Sequence, residues 1–251
     1  MGKIITPLLA AGGLLALASS PSHAVLQISA DINGTSFACA DQQASCDTNA
    51  AVGQLAIADQ TIGGVQFLGS AQTQTIGPTN SLNTSSFQVI NNNLVAVPIT
   101  IAVSGISYVG PVEEFSASSS GTFQSAIGSS ATFTYYADTG NDQGADDPLD
   151  LPGTQLASDT KNVLLSTDGF GFNHQGAFVD PDLYSMSLGT TASLTAGGSL
   201  VGRSQAIVTE QVAVPEPASL AILGSGLMAL GGILWWRRRR NENDHSNLAA
   251  A

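Results

Sequence analysis

The chain has 251 residues, of which 10% are charged and 43% hydrophobic, and its formal net charge is −12. Between residues 25 and 214 the imbalance sharpens to sixteen acids against Lys161 and Arg203 alone. Nucleic acid is held through many cationic contacts to phosphate, of which this stretch offers almost none, so no nucleic-acid partner is expected and contact with anionic lipid is disfavoured.

Residues 1–24 carry one positive charge, Lys3, then an apolar run from Ile4 to Leu17, and end in Ser22-His23-Ala24. This is the layout of a cleavable secretory signal, with the cut expected between Ala24 and Val25. The next segment, 25–213, is long enough for one domain with its own core.

No long segment of that domain has a helical period. Several have the two-residue alternation of half-buried strands. Leu26, Ile28, Ala30 and Ile32 alternate, as do Val95, Val97, Ile99, Ile101 and Val103. Pro98 predicts an edge strand, or a bulge at its own position, because it has no N–H to give a neighbour. Phe133 with Tyr135, Tyr184 with Met186 and Leu188, and Val208 with Val212 and Val214 continue the pattern. Turn clusters are expected at Asn91-Asn92-Asn93, at 118–121, at Asp168-Gly169 and at Gly197-Gly198, the last closing a hairpin over 192–209. Residues 139–162, rich in acids and poor in apolar groups, are expected to be one long surface loop. The fold class is therefore all-β, an antiparallel β-sandwich of jelly-roll or immunoglobulin-like type.

Cys39 and Cys46 are the only cysteines in the chain. In an oxidising exterior they are expected to pair, a short loop closure contributing about 2–3 kcal/mol. The sharpest acidic cluster holds Asp138, Asp142, Asp146 and Asp150. No cofactor is expected, and the cluster reads first as a hydrated acidic loop; oxygen ligands on a glycine-containing turn would also suit Ca2+, which is the alternative at these four residues. The EF-hand pattern fails, with Gly140, Gln143 and Leu149 at its third, sixth and twelfth positions. Asp31, Asp41 and Asp47 form a second acidic group near the cysteine pair.

Catalytic residues are not expected. His174 is the only histidine of the domain, in a loop-like setting, and Gly-x-Ser-x-Gly is absent. Glu113 and Glu114 are adjacent and would face opposite ways on a strand, poor geometry for a carboxylate pair. Both tryptophans lie beyond residue 214, so the domain has no indole platform for sugars.

The C-terminal segment has three parts. Val214-Pro215-Glu216-Pro217 comes first. Its prolines fix φ, remove two backbone donors and push their predecessors to extended geometry, so the segment is expected to be extended and unpaired. Residues 218–236 follow without a charge. As a helix they span about 28 Å, close to the roughly 30 Å hydrocarbon core of a bilayer. Trp235 and Trp236 suit the interface, and Arg237, Arg238, Arg239 and Arg240 form a cytoplasmic stop. Residues 241–251 make a short cytoplasmic tail.

These parts resemble the PEP-CTERM sorting signal of Gram-negative bacteria, with the signal at 214–240 and the transmembrane helix at 218–236. The tail after the arginines is longer than is usual in that family. The β-rich bodies of such proteins are similar in outline, through Ile32-Asn33-Gly34-Thr35 and the strand that starts at Leu183. The resemblance implies exosortase, a membrane cysteine protease, as a partner. It implies a precursor held transiently in the inner membrane and a product at the cell surface or beyond. It also implies company with exopolysaccharide and a structural or adhesive, non-enzymatic role. A calcium-dependent carbohydrate-binding module and a carboxylate-based hydrolase are the alternatives.

Overall fold

The computed structural model describes residues 25–148, 150–210 and 228. Within them the chain forms twelve strands: β1 (Leu26–Ile32), β2 (Thr35–Ala40), β3 (Gln54–Ile62), β4 (Val65–Ile76), β5 (Thr79–Asn91), β6 (Val97–Val109), β7 (Val112–Gln124), β8 (Ser130–Asp138), β9 (Thr154–Asn162), β10 (Thr167–Asp180), β11 (Leu183–Leu194) and β12 (Ser199–Thr209). They build two six-stranded sheets, ordered β2-β1-β6-β11-β8-β9 and β10-β7-β12-β5-β4-β3. Every pairing is antiparallel. The all-β sandwich is as the alternation requires. The sorting segment, the leader and the expected membrane span lie outside the described residues, Met228 excepted. Among the described residues no helix is long and apolar enough to cross a membrane.

The core lies between the sheets. Along β8, Ala131, Phe133, Tyr135 and Ala137 are buried while their neighbours are only half-buried, which is period two made visible. Leu26, Ile28, Phe67, Leu82, Phe123 and Leu200 fill the same layer. The β1–β2 hairpin turns at Asn33-Gly34, both at positive φ (53° and 78°), as a two-residue hairpin turn demands.

Several sequence expectations are corrected here. β6 is not an edge strand but sits between β1 and β11. Pro98 is its second residue, past the point where β1 ends its pairing at Ile32 opposite Ile99, so no donor is demanded of it on that side. Residues 118–121 are not a turn but the middle of β7, and Asp168-Gly169 lies within β10. Ser118 and Ser120 face outward there while Ser119 is buried, and such a run of Ser and Gly resembles turn chemistry. The 192–209 segment turns tightly at Gly197-Gly198 but is not a hairpin, because β11 and β12 belong to different sheets. The 139–162 loop is shorter than expected, since β9 begins at Thr154.

The remaining loop, 139–153, folds back over the outer face of the first sheet. Ala145 is fully buried, its N–H donating to Ser104 Oγ (3.1 Å) and its carbonyl accepting from Gln27 Nε2 (2.9 Å). Small residues beneath it permit this approach: a Cβ on Gly189 would stand 2.6 Å from Leu151 Cδ1. Ala102, Ser104 and Ser187 of β6 and β11 are thus buried although they face away from the core. Cys39 and Cys46 are bonded, with Cα atoms 5.9 Å apart, and tie the end of β2 to the loop that follows it.

Candidate functional site

Among the described residues nothing covers the outer face of the second sheet, and the sequence coats that face with amides and hydroxyls. Strand register places Asn173, Ser118, Gln205, Asn83, Gln72 and Gln54 side by side in one row across all six strands. Two residues further along, Gln175, Ser116, Ile207, Ser81 and Gln74 form a parallel row. On the other side of the first row stand Gly171, Ser120 and Arg203. The alternation that buries Ala117, Leu82 and Ala206 turns these polar neighbours outward.

A groove of about 770 Å³ runs over this face. Gln72, Gln74, Asn83, Ser118, Arg203 and Gln205 line it, and none of its lining residues is acidic. Arg203 is exposed and donates from Nε to Ser120 Oγ at 3.1 Å. A second depression of about 450 Å³ adjoins it through Ile207, which lines both, and contains Glu114.

The floor is braced from inside the sandwich. Tyr135, on β8 of the first sheet, meets Ser119 of β7 through its hydroxyl. Ser119 Oγ in turn lies 3.0 Å from Ser204 Oγ of β12. The Ser204 N–H donates to Thr84 Oγ1 of β5 (2.6 Å), and that hydroxyl donates to the Ser204 carbonyl (3.2 Å). A second inter-sheet link runs from Asn80 Nδ2 to Tyr184 Oη (2.8 Å) and to the Val109 carbonyl (3.0 Å). Buried hydroxyls that find partners fix the relative placement of the sheets.

Burial is the main cause of raised phenol pKa values here. It pushes Tyr135 up to about 12, against a lowering by the Ser119 hydrogen bond and with a smaller rise from the Asp159 charge. Tyr184 and Tyr108 are also raised, burial again first. A phenol whose folded pKa exceeds its unfolded value, about 10, stabilises the fold fully below that pH. The contribution disappears as the pH rises toward and through 12. Phenolate absorbance near 295 nm is therefore expected to appear for these three tyrosines only together with loss of near-UV circular dichroism. Titration at constant structure would contradict it.

The candidate residues from sequence fall as follows. Asp138 ends β8, and its Oδ2 accepts the Asp142 N–H at 2.9 Å. Asp142, Asp146 and Asp150 are exposed on the covering loop, whereas Ala145 between them is buried. Among the described residues no group of three or more His, Cys, Asp or Glu side chains is arranged to hold a metal ion. Asp31, Asp41 and Asp47 accept hydrogen bonds from turn and loop N–H groups, those of Gly34, Gly53 and Gln42 among them. Glu113 and Glu114 are neighbours on β7.

His174 is not a loop residue. It lies on β10, with Nε2 2.5 Å from Asp159 Oδ2 of β9. Lys161 and Asp168 join the same two strands at 2.7 Å, and Lys161 holds the Asp168 carboxyl below its ordinary range. β9 and β10 are the edges of different sheets, so these pairs close one side of the sandwich. Sequence reasoning missed Arg203 and the rows around it. The available signal was that Arg203 is one of two basic residues in the domain.

Comparison with known proteins gives one family match and several remote structural ones. Residues 213–240 match the model of the PEP-CTERM protein-sorting motif. No curated protein matches the sequence. Among solved structures, TmCBM61 in complex with β-1,4-galactotriose is 8% identical, with 59% of this chain and 90% of that one covered, at a TM-score of 0.31. The C-terminal CBM6 of LamC, a marine laminarinase from Zobellia galactanivorans, is 12% identical over 54% and 86%, at 0.24. The K1 cleaved adhesin domain of Lys-gingipain from Porphyromonas gingivalis W83 is 7% identical over 63% and 98%, at 0.31.

Proposed function

We propose that this chain, which carries a PEP-CTERM sorting motif, is an exported surface or matrix protein without enzymatic activity. In this reading exosortase cuts it near Pro215-Glu216-Pro217 and frees it from a transient stay in the inner membrane. Its β-sandwich then serves a structural or adhesive role in the envelope or the exopolysaccharide layer. The observation that carries the reading is the motif match at 213–240, next to a domain whose two cysteines are disulfide-bonded. A disulfide of this kind belongs to an oxidising exterior.

Expression with and without exosortase, followed by mass spectrometry of the protein's C-terminus, tests it. The surface form from the exosortase-positive strain is expected to lack Arg237–Arg240. Glu216→Ala with Pro217→Ala is expected to leave the precursor in the membrane. Retention of the four arginines on the mature protein, or normal release of the double variant, overturns the proposal.

A further inference from the structure

The two outer faces of the sandwich are treated differently by the chain. Loop 139–153 covers the first sheet, whereas the groove on the second sheet stays open among the described residues. Amide side chains both donate and accept, and hydroxyls do the same, so the two rows can match sugar hydroxyls in either role. The groove's volume lies within the range of ligand sites.

Charge narrows the ligand further. The domain has sixteen acids, yet none lines the groove. Its two basic residues are used differently. Lys161 is paired with Asp168, while Arg203 has no carboxylate within ion-pair distance among the described residues. Its bond to Ser120 orients the guanidinium and leaves the planar fork for another partner. Such a fork suits a carboxylate bound through two parallel hydrogen bonds. Remote acids are screened beyond about 8 Å at physiological salt, so the local guanidinium decides.

We propose that the groove on the second sheet binds an acidic polysaccharide, with a uronate carboxylate on Arg203 and sugar hydroxyls on Asn83, Gln205, Gln72 and Ser118. The proposal deepens the matrix role above, because it names what the exported domain would hold. Without a tryptophan platform, each site binds through hydrogen bonds and one ion pair. Firm attachment then comes from many copies on one polymer.

The test uses the full chain in a polyoxyethylene detergent, since maltosides carry sugar. The probes are oligomers of galacturonate, glucuronate and mannuronate, together with the methyl ester of the one that binds. Titration calorimetry is expected to show binding of at least one acid form. Its methyl ester and the Arg203→Gln variant should each bind about tenfold more weakly, the worth of one charge-assisted contact. Gln205→Ala should weaken acid and ester alike, and an unchanged melting temperature should accompany each variant. Equal binding of acid and ester, equal binding by Arg203→Gln, or no binding of any of the three overturns the proposal. So does a dimer that Arg203→Gln abolishes, which would give the groove to a second copy. Because the measurement needs no exosortase, its failure and that of the sorting reading are separable.

Discussion

Replacing Asn91 with alanine is expected to destabilise the sandwich by about 3–4 kcal/mol, lowering its melting temperature by roughly 10 °C. Asn91 is fully buried at the end of β5. Its Nδ2 group donates to the carbonyls of Val95 (2.8 Å), Leu194 (2.9 Å) and Thr195 (3.1 Å). Its Oδ1 accepts the Asn93 N–H at 2.9 Å. Its backbone accepts from Gly197 and donates to Gly198, both at 2.9 Å. One side chain thus joins the β5–β6 connection to the β11–β12 connection, two places where the chain passes between sheets. Alanine keeps the backbone bonds but leaves the Leu194 carbonyl unpaired away from water, at its full desolvation cost, and removes the two part-buried bonds to Val95 and Thr195 as well. Asn93→Ala, which removes a single exposed bond to Gly63, is expected to cost under about 1 kcal/mol. Urea midpoints for the two variants check the contrast. Similar losses would show that Asn91 acts only as a turn residue.

Phe133→Ala is expected to cost about 3–5 kcal/mol, through lost burial and an incompletely filled cavity. Phe133 is fully buried on β8, with its ring centroid 4.8 Å from Phe170 and 6.1 Å from Phe172, both on β10. Since β8 and β10 belong to opposite sheets, this aromatic group fastens an edge strand of one sheet across the core to the other. Two consequences follow together: global destabilisation, and faster amide exchange along β10 than along β5. Phe133→Leu, which keeps most of the volume, should restore more than half of the loss. Uniform acceleration of exchange across the domain would refute the special link to β10.

The sequence made the fold class plain because alternation is a local property. Leu26 to Ile32 and Ile99 to Val103 alternate in writing and pair in space, with Ile28 opposite Val103. Which strand joins which sheet was not legible, because that depends on pairings far along the chain. The tight turn at Gly197-Gly198 looks the same whether it closes a hairpin or carries the chain from one sheet to the other. Serine misled the reading at 118–121, where exposed strand positions use the residues that turns prefer. Asn91 was visible as a turn asparagine, but two of its four side-chain bonds depend on the approach of residues 194 and 195. Arg203 stood out only by the scarcity of its kind. Its significance depends on the register that gathers Ser118, Asn83 and Gln72 beside its strand.

The last strand of the domain has a mechanical consequence. β12 lies inside the second sheet, zipped along its whole length to β5 on one side and β7 on the other. The segment with Pro215 and Pro217 follows it in sequence. A pull on that segment, directed along the strand, loads both ladders in shear, so their hydrogen bonds share the force and yield together. A terminal strand on an edge would instead be peeled away one bond at a time. Arg203, Ser204, Gln205 and Ile207, which line the groove, ride on the same strand. Load between a ligand in the groove and the C-terminal end would therefore run through one doubly held strand, without passing through the core.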